Sequence, residues 1–127
     1  MAKYSVVIMT ASADLPMTHE LAAAAILAQH FKSDVVFLRP QRHRTPDVEV
    51  RGITWEIKSP KGDSKKTIEN NLRTARKQSE NIIIDLARSK MHSTRAVARM
   101  RFYVRTQSHG IKRLKVITKK KRIIDVL

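Results

Sequence analysis

The sequence predicts an α/β domain with a mixed central sheet flanked by helices. Short valine- and isoleucine-rich runs alternate with longer segments of helical periodicity, two pairs of strand-like runs sit around tight turns, and 127 residues suit one hydrophobic core. Hydrophobic residues make up 42% and charged residues 29%, a balance that fits neither a disordered chain nor a membrane protein. One domain over residues 1–127 is expected, with no internal repeat.

Residues 4–9 form the first predicted strand, whose apolar run Val6-Val7-Ile8-Met9 is far below the ~20 residues of a membrane span. Residues 10–17, with Pro16, lead to a helix over 19–31 that Thr18 caps and in which Leu21, Ala25 and Ala28 share a face. Glu20 falls in its first turn, where a carboxylate also suits the helix dipole. A strand over 34–38 and a basic loop over 39–45 follow. Residues 48–50 and 53–58 are hairpin strands about Arg51-Gly52, with glycine available for a positive φ. In the second of them Ile53, Trp55 and Ile57 alternate with Thr54, Glu56 and Lys58, so Trp55 is core and the other face is polar. After a loop over 59–64, residues 65–79 read as a helix with Ile68, Leu72 and Ala75 inward and a basic outer face. Residues 81–86 suit a buried strand, and 93–107 a second basic helix with Val97, Met100 and Val104 inward; Phe102 and Tyr103 are assigned to helix packing before base stacking. A hairpin of 114–118 and 122–126 about Lys119-Lys120-Lys121 closes the chain.

Lysine and arginine number 26 against 11 acidic residues, a formal net charge of +15. Such a field attracts polyanions, and nucleic acid is the expected partner, since each neutralised phosphate releases counterions; no membrane partner is expected. The absence of cysteine removes disulfides, zinc–thiolate sites and cysteine nucleophiles. His19, His30, His43, His92 and His109 show no metal-ligand spacing and do not indicate two imidazoles converging on one phosphate.

The chemistry concentrates in Pro46-Asp47 followed by Glu56-Ile57-Lys58. Residues two apart on a strand face the same way, so Glu56 and Lys58 share a face and Asp47 on the adjoining strand lies beside them. Close carboxylates call for a cation, and Mg²⁺ or Mn²⁺ prefers such hard oxygen ligands. A lysine beside that ion can orient or deprotonate the attacking water and stabilise charge developing on a phosphate. The competing reading is a set of strand-edge charges paired with Lys58 or Arg51. Ser59, Lys61, Ser64 and Lys65 in the following loop, and Arg73, Arg76 and Lys77 on the next helix, are candidate phosphate contacts; a solvated loop and an i, i+4 pair of Glu69 with Arg73 are the alternatives.

The pattern of a helical Glu, then Pro-Asp, then Glu-x-Lys and a basic helix resembles the PD-(D/E)xK nucleases. More closely, Thr45-Pro46-Asp47, Trp55-Glu56-Ile57-Lys58-Ser59-Pro60, Thr67-Ile68 and the run from Lys77-Gln78-Ser79 into Ile82-Ile83-Ile84 are similar to the C-terminal tRNase domain of CdiA-type contact-dependent inhibition toxins, over about residues 18–118. The resemblance implies a PD-(D/E)xK nuclease-like fold. It implies Glu20, Asp47 and Glu56 as metal-binding acids, Lys58 as the catalytic lysine and Gln78 as the helical glutamine of the site. It further implies tRNA as substrate, the cytoplasm as the site of action, and a cognate immunity protein if the chain is a toxin. Because that domain ends a very large secreted protein, whereas this chain opens on Met1 and a predicted strand, a free-standing relative with a housekeeping or mobile-element role is the second expectation for its setting. The residues alone leave RNA and DNA open, so a DNA endonuclease of repair, restriction or mobile-element type stands beside the ribonuclease, and a non-catalytic basic nucleic-acid-binding protein beside both.

Overall fold

The computed structural model describes residues 4–9, 15–39, 46–64 and 66–127. Residues 10–14 of the expected loop over 10–17, residues 40–45 of the expected loop over 39–45, and Lys65 lie outside them. Seven strands stand side by side in chain order: β1 (Val6–Ile8), β2 (Val35–Phe37), β3 (Val48–Val50), β4 (Ile53–Lys58), β5 (Asn81–Asp85), β6 (Arg113–Ile117) and β7 (Ile123–Asp125). Three helices complete the domain: α1 (Thr18–Phe31), α2 (Thr67–Ala75) and α3 (Ser93–Thr106). β1 and β2 are parallel, β3 runs antiparallel to both β2 and β4, β4, β5 and β6 are parallel, and β7 returns antiparallel. The sheet is therefore mixed, as expected.

Two apolar layers cover it. α1 supplies Ala23, Ala24, Leu27 and Ala28 to one face, against Val35, Phe37, Val48, Trp55, Ile83 and Ile117. α2 and α3 cover the other with Ile68, Leu72, Ala75, Val97, Met100 and Tyr103 against Ile82, Ile84, Leu114 and Val116. Every residue of β5 is buried, as a strand sandwiched between helices must be. At the hairpin, Arg51 and Gly52 both take positive φ (51° and 80°), the backbone of a two-residue turn that matches strand twist and fixes Val50 opposite Ile53.

Three expectations are corrected. Thr18 is the first helical residue and caps nothing; Glu20 reaches back to accept the Met17 N–H at 2.9 Å and closes the helix start. Ala25 is exposed, because an alanine-rich helix offers several apolar registers and Leu27 with its i−3, i−4 and i+1 neighbours Ala24, Ala23 and Ala28 selects the buried one. α2 ends at Ala75, and Gln78 lies in the turn beyond it, its N–H bonded to the Ala75 carbonyl at 2.8 Å. Trp55 is core, and Tyr103 packs inward while Phe102 is exposed.

Leu72 is fully buried in the α2–α3 layer. Leu72→Ala should cost about 3 kcal/mol and lower Tm by roughly 10 °C in a thermal melt; a loss within experimental error would contradict this packing.

Candidate active site

The chemistry gathers where β4, β5 and β6 end. Asp47 precedes β3, and its backbone continues the ladder: its N–H donates to the Trp55 carbonyl at 3.0 Å and its carbonyl accepts from Leu38 N–H at 3.0 Å. Its side chain turns along β4, where Oδ2 accepts the Ile57 N–H at 2.8 Å. This bond aims the carboxyl at Glu56. Glu56 is buried at 5% exposure, its Oε2 lies 3.1 Å from Lys58 Nζ, and its Oε1 is buried with no hydrogen-bond partner. Glu56 and Lys58 stand opposite Ile82 and Ile84 of β5, so both share the α2–α3 face.

The electrostatics follow from that crowding. Burial, then the negative charge of Asp47, push the Glu56 carboxyl up to about 7, although Lys58 pulls the other way. Asp47 is also raised, first by burial and in smaller part by the nearby charge of Glu20, against the pull of the Ile57 N–H. The crowding of the two acids thus favours the protonated form of Glu56. Glu20 closes α1, and its charge is felt at Asp47.

Beside this pair the β4–α2 loop is tied down. Arg88 Nη2 donates to the Ser59 carbonyl at 3.0 Å, and Ser89 Oγ to the Gly62 carbonyl at 3.3 Å. At Gly62 the loop passes so close to α2 that a Cβ would stand 2.8 Å from Thr67 Oγ1. Ser59 is half-buried, Lys61 exposed and Lys65 outside the described residues. Sequence reading passed over two groups here. Asp85, 2% exposed at the end of β5, accepts the Ala87 N–H at 3.1 Å; burial raises its carboxyl while His19 and Arg88 draw it down. Arg88 is half-buried and its Nε is buried without a partner. A charged pair just past the end of a buried parallel strand was the available signal.

Other expected residues lie elsewhere. Arg73, Arg76 and Lys77 sit where α2 leads into β5, whereas Lys58 and Ser59 sit where β4 leads into α2. Arg73 bonds Asn70, and Arg76 donates to the Ser108 carbonyl at 2.8 Å, pinning the segment before β6. Gln78 has a buried Oε1 without a partner, and among the described residues no hydrogen bond joins it to Asp47, Glu56 or Lys58. Its neighbours Ser79 and Asn81 bond the Thr54 carbonyl of β4. Among the described residues no three or more His, Cys, Asp or Glu side chains form a preassembled metal cluster. The acid pair nonetheless fits a hard divalent cation: Glu56 Oε1 is buried without a partner, both carboxyls are destabilised as anions, and Mg²⁺ is commonly held by one or two carboxylates with water and phosphate supplying the rest.

A mixed α/β sheet carrying a buried and a half-buried carboxyl and a lysine on one hairpin defines a compact domain with a polar centre at its strand ends. The family model of the contact-dependent growth inhibition CdiA C-terminal domain matches residues 44–123, and the chain belongs to that family. Among solved structures, one chain of the CdiA-CT/CdiI toxin and immunity complex from Burkholderia pseudomallei superposes with a TM-score of 0.70 at 19% identity, covering 95% of this chain and 97% of that one. At that identity the likeness is one of fold. No curated protein sequence matches.

The folded protein holds a proton on Glu56 up to a pH of about 7, whereas the unfolded chain releases it near the ordinary value of 4.5. Extra protons bound by the native state make unfolding free energy fall as pH rises, here between about pH 4.5 and 7, by on the order of 3 kcal/mol. Denaturant melts in chelator should show that decline, and Glu56→Gln should flatten it; an equal slope in the variant would contradict the assignment.

Proposed function

We propose that this chain is the toxin domain of a contact-dependent inhibition system and acts as a divalent-metal-dependent nuclease of the PD-(D/E)xK type, on RNA and with tRNA favoured. The observation that carries the reading is the half-buried Asp47 beside the buried Glu56, with Lys58 3.1 Å from Glu56 on the same strand face. Asp47 and Glu56 would hold the cation, with Glu20 close enough to add negative charge. When bound, Mg²⁺ or Mn²⁺ supplies Lewis-acid stabilisation of phosphate charge. Lys58 places an ammonium where it orients the attacking water and stabilises the phosphate oxygens in the transition state. The Arg88 guanidinium, Ser59 and Lys61 border that position and would hold the flanking backbone. A cognate immunity protein would be its partner, as the CdiA-CT/CdiI pairing of the structural relative suggests, and the cytoplasm of the recipient cell its site of action. This chemistry acts on the phosphodiester without involving a 2′-hydroxyl, so a magnesium-dependent assay offering tRNA, ribosomal RNA and duplex DNA side by side decides between RNA and DNA. Cleavage of none of the three would remove the nuclease reading.

Asp47→Asn and Glu56→Gln should each abolish cleavage while the fold is retained, and Lys58→Ala should keep cation binding by calorimetry but lose most turnover. Loss of cation binding in Lys58→Ala would count against this division of roles. Because protons and cation compete for the same carboxyls, millimolar Mg²⁺ should raise Tm more at pH 8 than at pH 5, and Asp47→Asn should remove the effect.

Glu20→Gln separates capping from chemistry. The amide oxygen still accepts the Met17 N–H, so stability should change by at most about 0.5 kcal/mol, while cleavage falls more than tenfold and the magnesium needed for half activity rises. Unchanged cleavage would leave Glu20 with the helix cap alone.

A further inference from the structure

The basic residues nearest the catalytic end of the sheet are not those of α2. Across one sheet face the register runs Lys58 to Ile84, Ile84 to Val116, and Val116 to Ile124. Ile124 floors a groove of about 890 Å³ between the first half of α3 and the start of β7, together with Val97, Ala98 and Ile123. Its rim carries Arg101 on one side and Lys119, Lys120 and Arg122 on the other, all exposed. None of the lining residues is acidic, and among the described residues no carboxylate pairs with these four cations. The start of α3 opens onto the same groove with no acidic residue in its first turn, so the positive end of its dipole adds to the field.

The rim is held in place. Thr118 and Arg122 close the β6–β7 turn through the Thr118 N–H to the Arg122 carbonyl at 2.8 Å, Lys121 takes a left-handed φ of 63°, and the Lys119 N–H reaches Ser93 Oγ at 3.3 Å. Three lysine and arginine side chains are thus presented by a turn fastened to α3.

We propose that this groove is a second, non-catalytic anchor for the sugar–phosphate backbone of the nucleic acid whose phosphodiester is cut beside Lys58; this rests on the nuclease reading above. Three strand spacings separate Lys58 from Ile124, roughly 14 Å. That is a reach of about four nucleotides at the ~3.4 Å rise per nucleotide of one strand. Groove and catalytic lysine share a sheet face, so one strand can run between them along the ends of β5 and β6. The lining contains no Phe, Tyr or Trp and His92 is its one ring, so successive bases find no stacking platform and the grip is chiefly on phosphates, independent of sequence.

The test uses the full chain with Lys58→Ala, so that binding is measured without cutting, and a short labelled single-stranded RNA followed by anisotropy at several salt concentrations. Lys119→Gln, Lys120→Gln and Arg122→Gln together should raise Kd at least tenfold and lower the slope of log K against log salt by about two. Arg101→Gln, on the opposite wall, should lower it independently by roughly 0.7, which guards against a turn disturbed by the triple substitution. Removing three charges from other surfaces, with Lys32→Gln, Arg105→Gln and Lys112→Gln, should raise Kd less than threefold. An equal effect of that control, or an unchanged Kd in the turn variant, would overturn the proposal. So would loss of polyglutamate binding with RNA binding intact, which would mark a docking surface for an acidic protein. Absence of cleavage by the unsubstituted chain would remove the cut site and leave the binding comparison to decide the groove alone.

Discussion

A half-buried Asp47 crowded against a buried Glu56 is the constraint around which this domain is arranged. Asp47 and Glu56 face one another in a site from which Glu56 is almost wholly excluded from solvent. Neither anion is stable there unassisted, and the fold supplies partial compensation from three directions: the Ile57 N–H, the Lys58 ammonium and a retained proton. The Glu56 oxygen left without a partner shows that the compensation is incomplete. A chain that keeps such a pair must hold it by the packing of everything else. The isoleucines of β5, all fully buried, and the apolar layers on both sheet faces provide that hold.

The hairpin is the device that makes the pair. With two residues in its turn and Val48 opposite Trp55, β3 reaches the level of Glu56 and Ile57 at Asp47, where the side chain replaces a ladder partner for the Ile57 N–H. A register slip of one residue would reverse which face Glu56 and Lys58 occupy and take them from the acid opposite. Because β4, β5 and β6 are parallel, Lys58, Asp85 and the turn after Ile117 emerge at the same end, and each parallel crossover returns its helix start to that end. The starts of α1 and α3 contribute Glu20 and an open helix terminus there, so the site is a product of topology as much as of the motif.

Much of this was legible. Strict alternation in β4 identified Trp55 as core and Glu56 with Lys58 as one face, and the Arg51-Gly52 turn fixed the partner strand, because period-two patterning and turn chemistry are local properties of the chain. What failed was long-range or degenerate. The buried face of α1 could not be chosen among so many alanines, and the end of α2 was overrun because Arg76, Lys77 and Gln78 are all good helix formers. The α2 basic cluster was legible as charge but not as location: which end of a crossover helix meets Lys58 depends on strand direction. Asp85 and Arg88 were passed over for the same reason, since their nearness to Ser59 and His19 exists only once β4 and β5 lie parallel.

The charge distribution completes the physical argument. A net charge of +15 raises the free energy of the compact state through self-repulsion, and the domain does not relieve it with ion pairs: among the described residues only Lys58–Glu56 and Lys115–Asp125 are joined. One of those two bridges lies inside the acid site, where Lys58 is drawn toward a partner that also carries a proton. Among the described residues the exposed acids Asp34, Asp63 and Glu80 form no ion pair, whereas Glu56 and Asp85 are buried where a charge is expensive, and most of the cations are left unpaired. Stability alone would favour pairing the exposed acids with the exposed lysines and placing an apolar residue at Glu56. The unpaired surface cations and the buried Glu56 each cost the fold, and neither cost is repaid by an ion pair elsewhere in the described residues.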